Sequence, residues 1–259
     1  MTDVVRVETI GATRLVTIHR PHARNSLTPE ALQGLTDAFR DASGDRSVRC
    51  VVLGGAGDHF CAGADLHSIL ADPGLDTHLE PYMDAFHDLV KAVVRCDQPT
   101  VAMVDGAAVG FGADLALACD IRVVSTRAFV QEKFVDIGLM PDGGGTFWLP
   151  RLIGTAKALQ MILFAERLGA AELLRLGIVR AVVEADGLRE ATLAVAREIE
   201  AGPPLAFAAI KRCLYANLGS LDDALRRERD EQLRLLRTAD FSEGIAAWKQ
   251  RRAPRFEGR

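Results

Sequence analysis

The chain has 259 residues, of which 49% are apolar and 25% are charged, and its formal net charge is −4. This length and composition allow one large buried core, or one core with an appended helical domain. The negative charge argues against a nucleic-acid partner, because proteins that bind a phosphate backbone present a basic surface. No run of about 18 apolar residues and no signal-peptide pattern occurs, so we expect neither a membrane span nor secretion.

Cysteine and histidine spacing excludes two further classes. The five cysteines are an odd number, are widely separated and include no C-x-x-C pair. This usage predicts reduced thiols in a cytoplasmic protein rather than a disulfide framework. The six histidines show no H-E-x-x-H or similar paired spacing, so we expect no metal site.

The first elements are two strands and a helix. Residues Val4–Ile10 and Arg14–His19 flank Gly11-Ala12 and alternate well enough to predict a hairpin. Thr28 and Pro29 then supply an N-cap and a proline at the first helical position, which predicts that a helix begins there.

The middle of the chain repeats a strand, a second strand or loop, and a helix. Apolar residues on one helical face run from Leu79 to Val94, and the stretch 71–77 before them is polar and rich in helix breakers, so we expect a mobile loop there. Strands are predicted at Arg49–Leu53, Val101–Val104, Ile121–Val124 and Val179–Val183. This order predicts an α/β fold built as a spiral of β-β-α units.

The last third of the chain is mostly helical. Pro203-Pro204 marks a break before predicted helices at Leu205–Asn217 and Leu221–Arg237. We therefore expect a spiral core over residues 1–200 and a C-terminal helical segment over residues 201–259. This segment would pack on the core or on a neighbouring subunit.

Two glycine-rich junctions are the most informative feature of the chain. The first, at residues 60–66, reads FCAGADL, and the second, at residues 105–112, reads DGAAVGFG. Each follows an apolar, strand-like run and opens a helix, where the first N–H groups are unpaired and the helix end is positive. Two such junctions can aim two N–H donors at one oxygen, as an oxyanion hole requires.

These junctions also carry a family resemblance. Together with IGLMPDGGGTFWLPRLIG at residues 137–154, they resemble the enoyl-CoA hydratase/isomerase, or crotonase, superfamily. The resemblance extends from the strand at Thr13–His19 to the C-terminal sequence FSEGIAAWKQRRAPRFEGR. It implies a crotonase-like spiral fold and an enzyme that acts on an acyl-CoA thioester. It also implies that CoA arrives as part of the substrate and that no other cofactor is needed.

The resemblance assigns the oxyanion hole and the CoA contacts. The backbone N–H groups of Ala64 and Phe111 would bind the thioester oxygen. The family usually has glycine where this chain has Phe111, so we expect the ring to narrow or reshape the acyl pocket. The CoA contacts implied are Arg24 for the phosphates, unless it is only a solvated side chain, and, in the stretch near the adenine, Ala62, Gly63, Asp65 and Leu66. Asp65 is also expected to cap the helix that begins at Leu66.

Asp142 is the expected acid/base residue. Pro-Asp-Gly alone is a common turn sequence. Family members with a carboxylate directly after this proline, however, resemble Δ3,Δ2-enoyl-CoA isomerases or ring-opened phenylacetyl-CoA isomerases. We therefore expect an isomerase in which Asp142 moves a proton between the α and γ carbons of an oxyanion-stabilised enolate.

Hydration of a 2-enoyl-CoA is the alternative within the family. Asp114 stands where hydratases have their first catalytic glutamate, although a first-turn acid favoured by the helix dipole would look the same. Asp142 would then be the partner that holds water. The second hydratase glutamate aligns near Phe134, which cannot hold or deprotonate water. Glu132 is close by, but on a helix a difference of two residues would point its side chain elsewhere.

Two alternatives come from other classes. Gly110-Phe111-Gly112 begins a G-x-G-x-x-G match, which would indicate a dinucleotide site, but Leu115 replaces the third glycine. A binding or scaffold protein that has kept the fold and lost catalysis would also fit Phe111 and the missing second glutamate.

The resemblance also implies assembly. Members of the family form trimers, often paired as hexamers, with the C-terminal tail near the neighbour's CoA site. In this chain Phe241, Ile245 and Trp248 would share one helical face. We therefore expect a homotrimer or hexamer.

Overall fold

The computed structural model describes residues 4–216 and 221–259. Its strands are β1 (Val5–Ile10), β2 (Thr13–Ile18), β3 (Cys50–Gly55), β4 (Thr100–Val104), β5 (Ala107–Val109), β6 (Ile121–Ser125), β7 (Phe129–Gln131), β8 (Leu168–Gly169) and β9 (Ala181–Val183). Its α-helices are α1 (Pro29–Gly44), α2 (Leu66–Leu70), α3 (Leu75–Arg95), α4 (Phe111–Ala118), α5 (Gly145–Ile153), α6 (Thr155–Leu163), α7 (Ala170–Arg175), α8 (Leu188–Glu200), α9 (Pro204–Tyr215), α10 (Leu221–Leu235) and α11 (Ala239–Gln250).

Two sheets form the spiral. The larger has the strand order β1-β2-β3-β4-β6-β9, in which β1 and β2 form the predicted antiparallel hairpin and the remaining pairs are parallel. The smaller has the order β5-β7-β8, with β5 and β7 parallel. Parallel neighbouring strands must be joined by crossover connections, and in this fold the helices lie in those connections. The expected α/β spiral of strands and helices is confirmed.

The larger sheet is buried on both faces. Side chains alternate across a strand, so Val51 and Leu53 contribute to the main core, which helices α1, α3 and α4 cover. Cys50 and Val52 point to the opposite face, where α8 covers them. Burial on both faces explains why these strands read as continuous apolar runs.

The smaller sheet positions the two glycine junctions. Strand β5 leads through Gly110 into α4, and strand β7 lies beside β5 with Val109 opposite Gln131. Isolated β-bridges join Cys61 to Ala108 and Leu27 to Ala64, so the first junction lies against β5.

The C-terminal helices are tied to the sheet through Asp120. This carboxylate accepts hydrogen bonds from the Thr100 N–H at 2.7 Å and the Tyr215 hydroxyl at 2.7 Å, and the Lys211 ammonium lies 2.7 Å from it. Lys211 also donates to the Gln98 carbonyl at 2.9 Å. Helix α9 is therefore anchored by a buried ion pair at the start of β4. Within the described residues, no helix is both long enough and apolar enough to cross a membrane.

Several predicted boundaries were wrong by a few residues. Helix α3 begins at Leu75, so helical backbone occupies the end of the predicted loop 71–77. Strand β9 begins at Ala181 rather than Val179, because Ile178 and Val179 belong to the buried connection from α7. The helix predicted at Leu205–Asn217 spans Pro204–Tyr215, and Asn217 lies outside the described residues. The last long charged helix ends at Leu235, two residues before the predicted end.

Candidate active site

The first junction leaves one backbone N–H free. In the bridge between Leu27 and Ala64, the Leu27 N–H donates to the Gly63 carbonyl at 2.8 Å and the Asp65 N–H donates to the Leu27 carbonyl at 2.9 Å. This pattern does not use the N–H of Ala64, and the described residues offer it no acceptor. Gly63 has φ +91°, a conformation that side chains other than hydrogen rarely allow.

The second junction presents a similar N–H at the start of α4. Gly110, with φ +54°, ends the strand and donates its own N–H to the Gln131 carbonyl at 2.9 Å. Phe111 is the first helical residue, so its N–H has no partner within the helix, and none is found elsewhere in the part of the chain that is described. The Phe111 ring is buried against Phe86, with ring centroids 4.5 Å apart. Position 111 therefore contributes its ring to the core and leaves its backbone N–H unpaired.

The two junctions touch one another. A Cβ atom at Gly63 would lie 2.9 Å from the Val109 carbonyl oxygen and 3.3 Å from the Phe111 nitrogen. A Cβ at Gly112 would overlap the Cys61 carbonyl. Both glycines are needed for this close approach, which brings the free N–H groups of Ala64 and Phe111 into one region. The pair has the arrangement of an oxyanion hole.

Asp114 lies one helical turn beyond Phe111 and is fully buried. Its Oδ2 accepts a hydrogen bond from the Gly143 N–H at 2.8 Å. A Cβ at Gly143 would also lie 2.9 Å from the Phe111 ring. Asp142 directly precedes Gly143, so the structure brings Ala64, Phe111, Asp114 and Asp142 together.

Glu132 joins this site, and its predicted placement was wrong. It directly follows strand β7 rather than lying on a helix, and only 1% of it is exposed. A Cβ at Gly145 would lie 2.6 Å from Asp114 Oδ1 and 3.0 Å from Glu132 Oε1, so the two carboxyl groups meet at this glycine. The sequence signal was the two-residue period of a strand, since Val130 is buried and Glu132 falls on the same side. Phe134 begins a short 3₁₀ turn and is buried near Gly110.

The surroundings of the three carboxyl groups raise the pKa of each. Burial raises the pKa of Asp114, and the charge of Asp142 acts in the same direction. Burial also raises the pKa of Glu132, and the charges of Asp114 and Asp142 add to this. The pKa of Asp142 is raised by burial, although His87 on α3 opposes the shift. Within the described chain, hydrogen-bond partners are missing for Asp114 Oδ1, Asp142 Oδ1 and both carboxyl oxygens of Glu132.

Asp65 is the N-cap of α2, as predicted. Its Oδ1 accepts a hydrogen bond from the Ser68 N–H at 3.1 Å. The sequence analysis missed its second partner, Arg20, whose guanidinium lies 2.7 Å from Asp65 Oδ2. Both partners fix the direction in which the chain leaves the first junction.

The remaining predicted CoA contacts lie side by side. Arg24 is exposed and has φ +51°, and its carbonyl accepts a hydrogen bond from the Ala62 N–H at 3.0 Å. Leu66, at the start of α2, is 43% exposed. Arg24, Ala62, Gly63, Asp65 and Leu66 thus border one side of the first junction.

The comparisons with known proteins agree with this geometry. A family model described as enoyl-CoA hydratase/isomerase matches residues 8–259, and the chain belongs to this family. It is 38% identical over 257 residues to a probable enoyl-CoA hydratase of Rhodobacter capsulatus, covering 98% of both chains. It is 34% identical over 247 residues to the 1,2-epoxyphenylacetyl-CoA isomerase of Escherichia coli, covering 94% of both.

Solved structures match equally well. The crystal structure of an enoyl-CoA hydratase from Bacillus anthracis superposes with a TM-score of 0.94 at 28% identity, covering 99% of this chain and 100% of that one.

Membership of the enoyl-CoA hydratase/isomerase family replaces the dinucleotide-binding interpretation of Gly110-Phe111-Gly112. Gly112 packs against the first junction at Cys61 and does not border an open groove.

Proposed function

We propose that this chain is an acyl-CoA isomerase that moves a double bond by proton transfer. The observation that carries the proposal is the place of Asp142. Asp142 is partly exposed, whereas the other two carboxyl side chains of the site are buried. It directly precedes Gly143, which contacts both Phe111 and Asp114. A group that exchanges protons with a substrate must be reachable, and Asp114 and Glu132 are buried.

The chemistry follows from the two functions of the site. The Ala64 and Phe111 N–H groups would donate to the thioester oxygen and stabilise the negative charge that develops there when a proton leaves carbon. Asp142 would accept the α proton of a 3-enoyl thioester, which leaves a dienolate whose existing C3–C4 double bond is conjugated with the enolate. Asp142 would then return the proton to the γ carbon, which places the double bond between the α and β carbons and regenerates the thioester carbonyl. Burial raises the pKa of Asp142, which makes its carboxylate a stronger base than an exposed aspartate for taking the proton from carbon.

Hydration of a 2-enoyl-CoA is the second candidate. The observation that favours it is the buried pair of Asp114 and Glu132, which provides a second carboxyl group although position 134 is phenylalanine. The relatives named above include both a probable hydratase and an isomerase. The two functions differ in their product, since only hydration incorporates an oxygen atom from solvent.

The test combines a substitution with product analysis. We expect Asp142→Asn to lower the rate of isomerisation of 3-enoyl-CoA substrates by about 10²–10⁴ and to leave acyl-CoA binding nearly unchanged, because the amide keeps the size but cannot take a proton. Asp136→Asn is the matched control, since Asp136 is exposed and pairs with Lys133 at 3.6 Å. Mass spectrometry in ¹⁸O-labelled water would report any hydration.

A clear outcome would contradict the proposal. Efficient conversion of a 2-enoyl-CoA to an ¹⁸O-labelled 3-hydroxyacyl product, together with full activity of Asp142→Asn, would make Asp142 a turn residue and favour the hydratase. Absence of any acyl-CoA binding by calorimetry would favour the scaffold.

We also propose that the protein is a cytoplasmic homotrimer or hexamer. All five cysteines are unpaired, which suits a reducing compartment. The face of α11 that contains Phe241, Ile245 and Trp248 is only partly covered by the described part of its own chain. An exposed apolar face of this kind is typical of a subunit contact.

A further inference from the structure

We propose that Glu132 is a positioning residue of this site. It holds a proton beside Asp114, and the pair fixes the loop that carries Asp142. The inference rests on the proposed role of Asp142 as proton shuttle. It gives a function to a buried acid that the oxyanion hole and the proton transfer leave unused.

Asp114 connects this acid pair to the loop. Its Oδ2 accepts the Gly143 N–H at 2.8 Å, one residue after Asp142. This hydrogen bond fixes the peptide that follows Asp142 and so the direction in which its side chain leaves the backbone. Gly145 lies against the pair on its other side, since a Cβ there would be 2.6 Å from Asp114 Oδ1 and 3.0 Å from Glu132 Oε1.

The balance of charge places the proton on Glu132. Asp114 and Glu132 are 0% and 1% exposed, and no lysine or arginine of the described chain forms an ion pair with either of them or with Asp142. Lys133, the nearest in sequence, pairs with Asp136 at 3.6 Å, and His87 on α3 acts on Asp142. Several buried charges without a cation are too costly to maintain, so at least one carboxyl group stays neutral.

The two members of the pair are not equivalent. Asp114 accepts a backbone N–H, and a hydrogen bond to a charged carboxylate favours that charged form. No N–H group of the described chain donates to Glu132, and its contact with Asp114 raises the pKa of Glu132 further. Neutral Glu132 therefore lets Asp114 keep its charge and its bond to Gly143. Removing the proton at high pH would put a second charge beside Asp114 and loosen the loop.

Two variants separate this role from plain packing. Glu132→Gln keeps the size and an N–H donor but cannot ionise. We expect its kcat to stay within about threefold of wild type near neutral pH. We also expect the wild type to lose kcat at high pH, as Glu132 ionises, and this loss to be absent in Glu132→Gln. Glu132→Leu removes the polar group, and we expect kcat to fall by about 10–10² with KM changed less than threefold, as for a small misplacement of a catalytic group. Glu198→Gln, at an exposed ion pair with Arg180, is the control.

Infrared spectroscopy of the free protein tests the proton directly. At pH 8 the wild type should show the carbonyl stretch of a protonated carboxylic acid, and Glu132→Gln should lack it. Identical bands in the two proteins, or an unchanged alkaline limb in Glu132→Gln, would overturn the proposal. If Glu132→Leu fails to fold, these two measurements on Glu132→Gln still decide. The spectrum needs no substrate, so its failure is distinct from a failure of the isomerase assignment, which the Asp142→Asn assay reports.

Discussion

Single glycine residues set the geometry of the site. Gly63 has φ +91°, in the left-handed region. A Cβ atom added to it would lie 2.9 Å from the Val109 carbonyl oxygen. Any side chain would both strain the backbone and push the two junctions apart. The free N–H of Ala64 belongs to the next peptide, so it would move with them.

We predict that Gly63→Ala lowers kcat by about 10²–10³, the range seen when one oxyanion donor is lost. The strained backbone should also cost about 1–3 kcal/mol of unfolding free energy. Gly44→Ala, at the end of α1, is the matched control: its Cβ would meet nothing within 4 Å, and its φ is not in the left-handed region. Steady-state kinetics with the acyl-CoA substrate and urea denaturation measure both effects. Equal kcat values for the two variants would contradict the prediction.

Residue-level prediction succeeded where the signal was local. The caps at Thr28 and Asp65 depend on residues within three positions, and both are present. Glu132 was missed because three residues of β7 are too few to distinguish a strand from a helix by periodicity. The setting of the Phe111 ring depended on Phe86, whose position on α3 no local pattern reveals.

At the level of elements, α9 depends on one ion pair. Lys211 is 7% exposed and pairs with the mostly buried Asp120, which lies 91 residues earlier, directly before β6. Charges so far from solvent are stable only when both partners are present.

We predict that Lys211→Met lowers the free energy of unfolding by about 3–5 kcal/mol, because it leaves the mostly buried Asp120 carboxylate without its cation. Arg212→Met is the control, since the next residue forms half-exposed pairs with Asp97 and Glu231 and should cost about 0–1 kcal/mol. Chemical denaturation followed by circular dichroism compares the two. A loss for Arg212→Met as large as that for Lys211→Met would show that α9 is not anchored in this way.

Element order was largely predictable, and element contacts were not. The hairpin, the start of α1 and the strands β3, β4 and β6 follow from periodicity and from glycine and proline positions. The pairing of β6 with β9 joins segments nearly 60 residues apart, and no local pattern in the sequence indicates it.

At the scale of the whole molecule, helix α11 presents an apolar surface suited to subunit assembly. Phe241, Ile245 and Trp248 on α11 are 42%, 40% and 77% exposed. We predict that light scattering at micromolar concentration gives the mass of a trimer or hexamer, because this face needs cover that the described chain does not supply. Ile245→Glu should shift the mass toward the monomer.

Gln250→Glu is the matched control for this shift. It adds the same charge on the opposite side of α11, where the residue is exposed. A monomeric wild type, or equal dissociation by the two variants, would count against the proposed contact.

The position of α8 in the chain has a consequence for biosynthesis. This helix supplies Leu188, Val195 and Ala196 to the face of the larger sheet that α1 and α3 do not cover. During synthesis from the N-terminus, strands β2, β3, β4 and β6 leave the ribosome before it, with that face bare. Exposed apolar strands are aggregation-prone. The nascent chain therefore passes through a stage, up to about residue 188, at which we expect it to be a substrate for chaperones, and release from them should follow the emergence of α8.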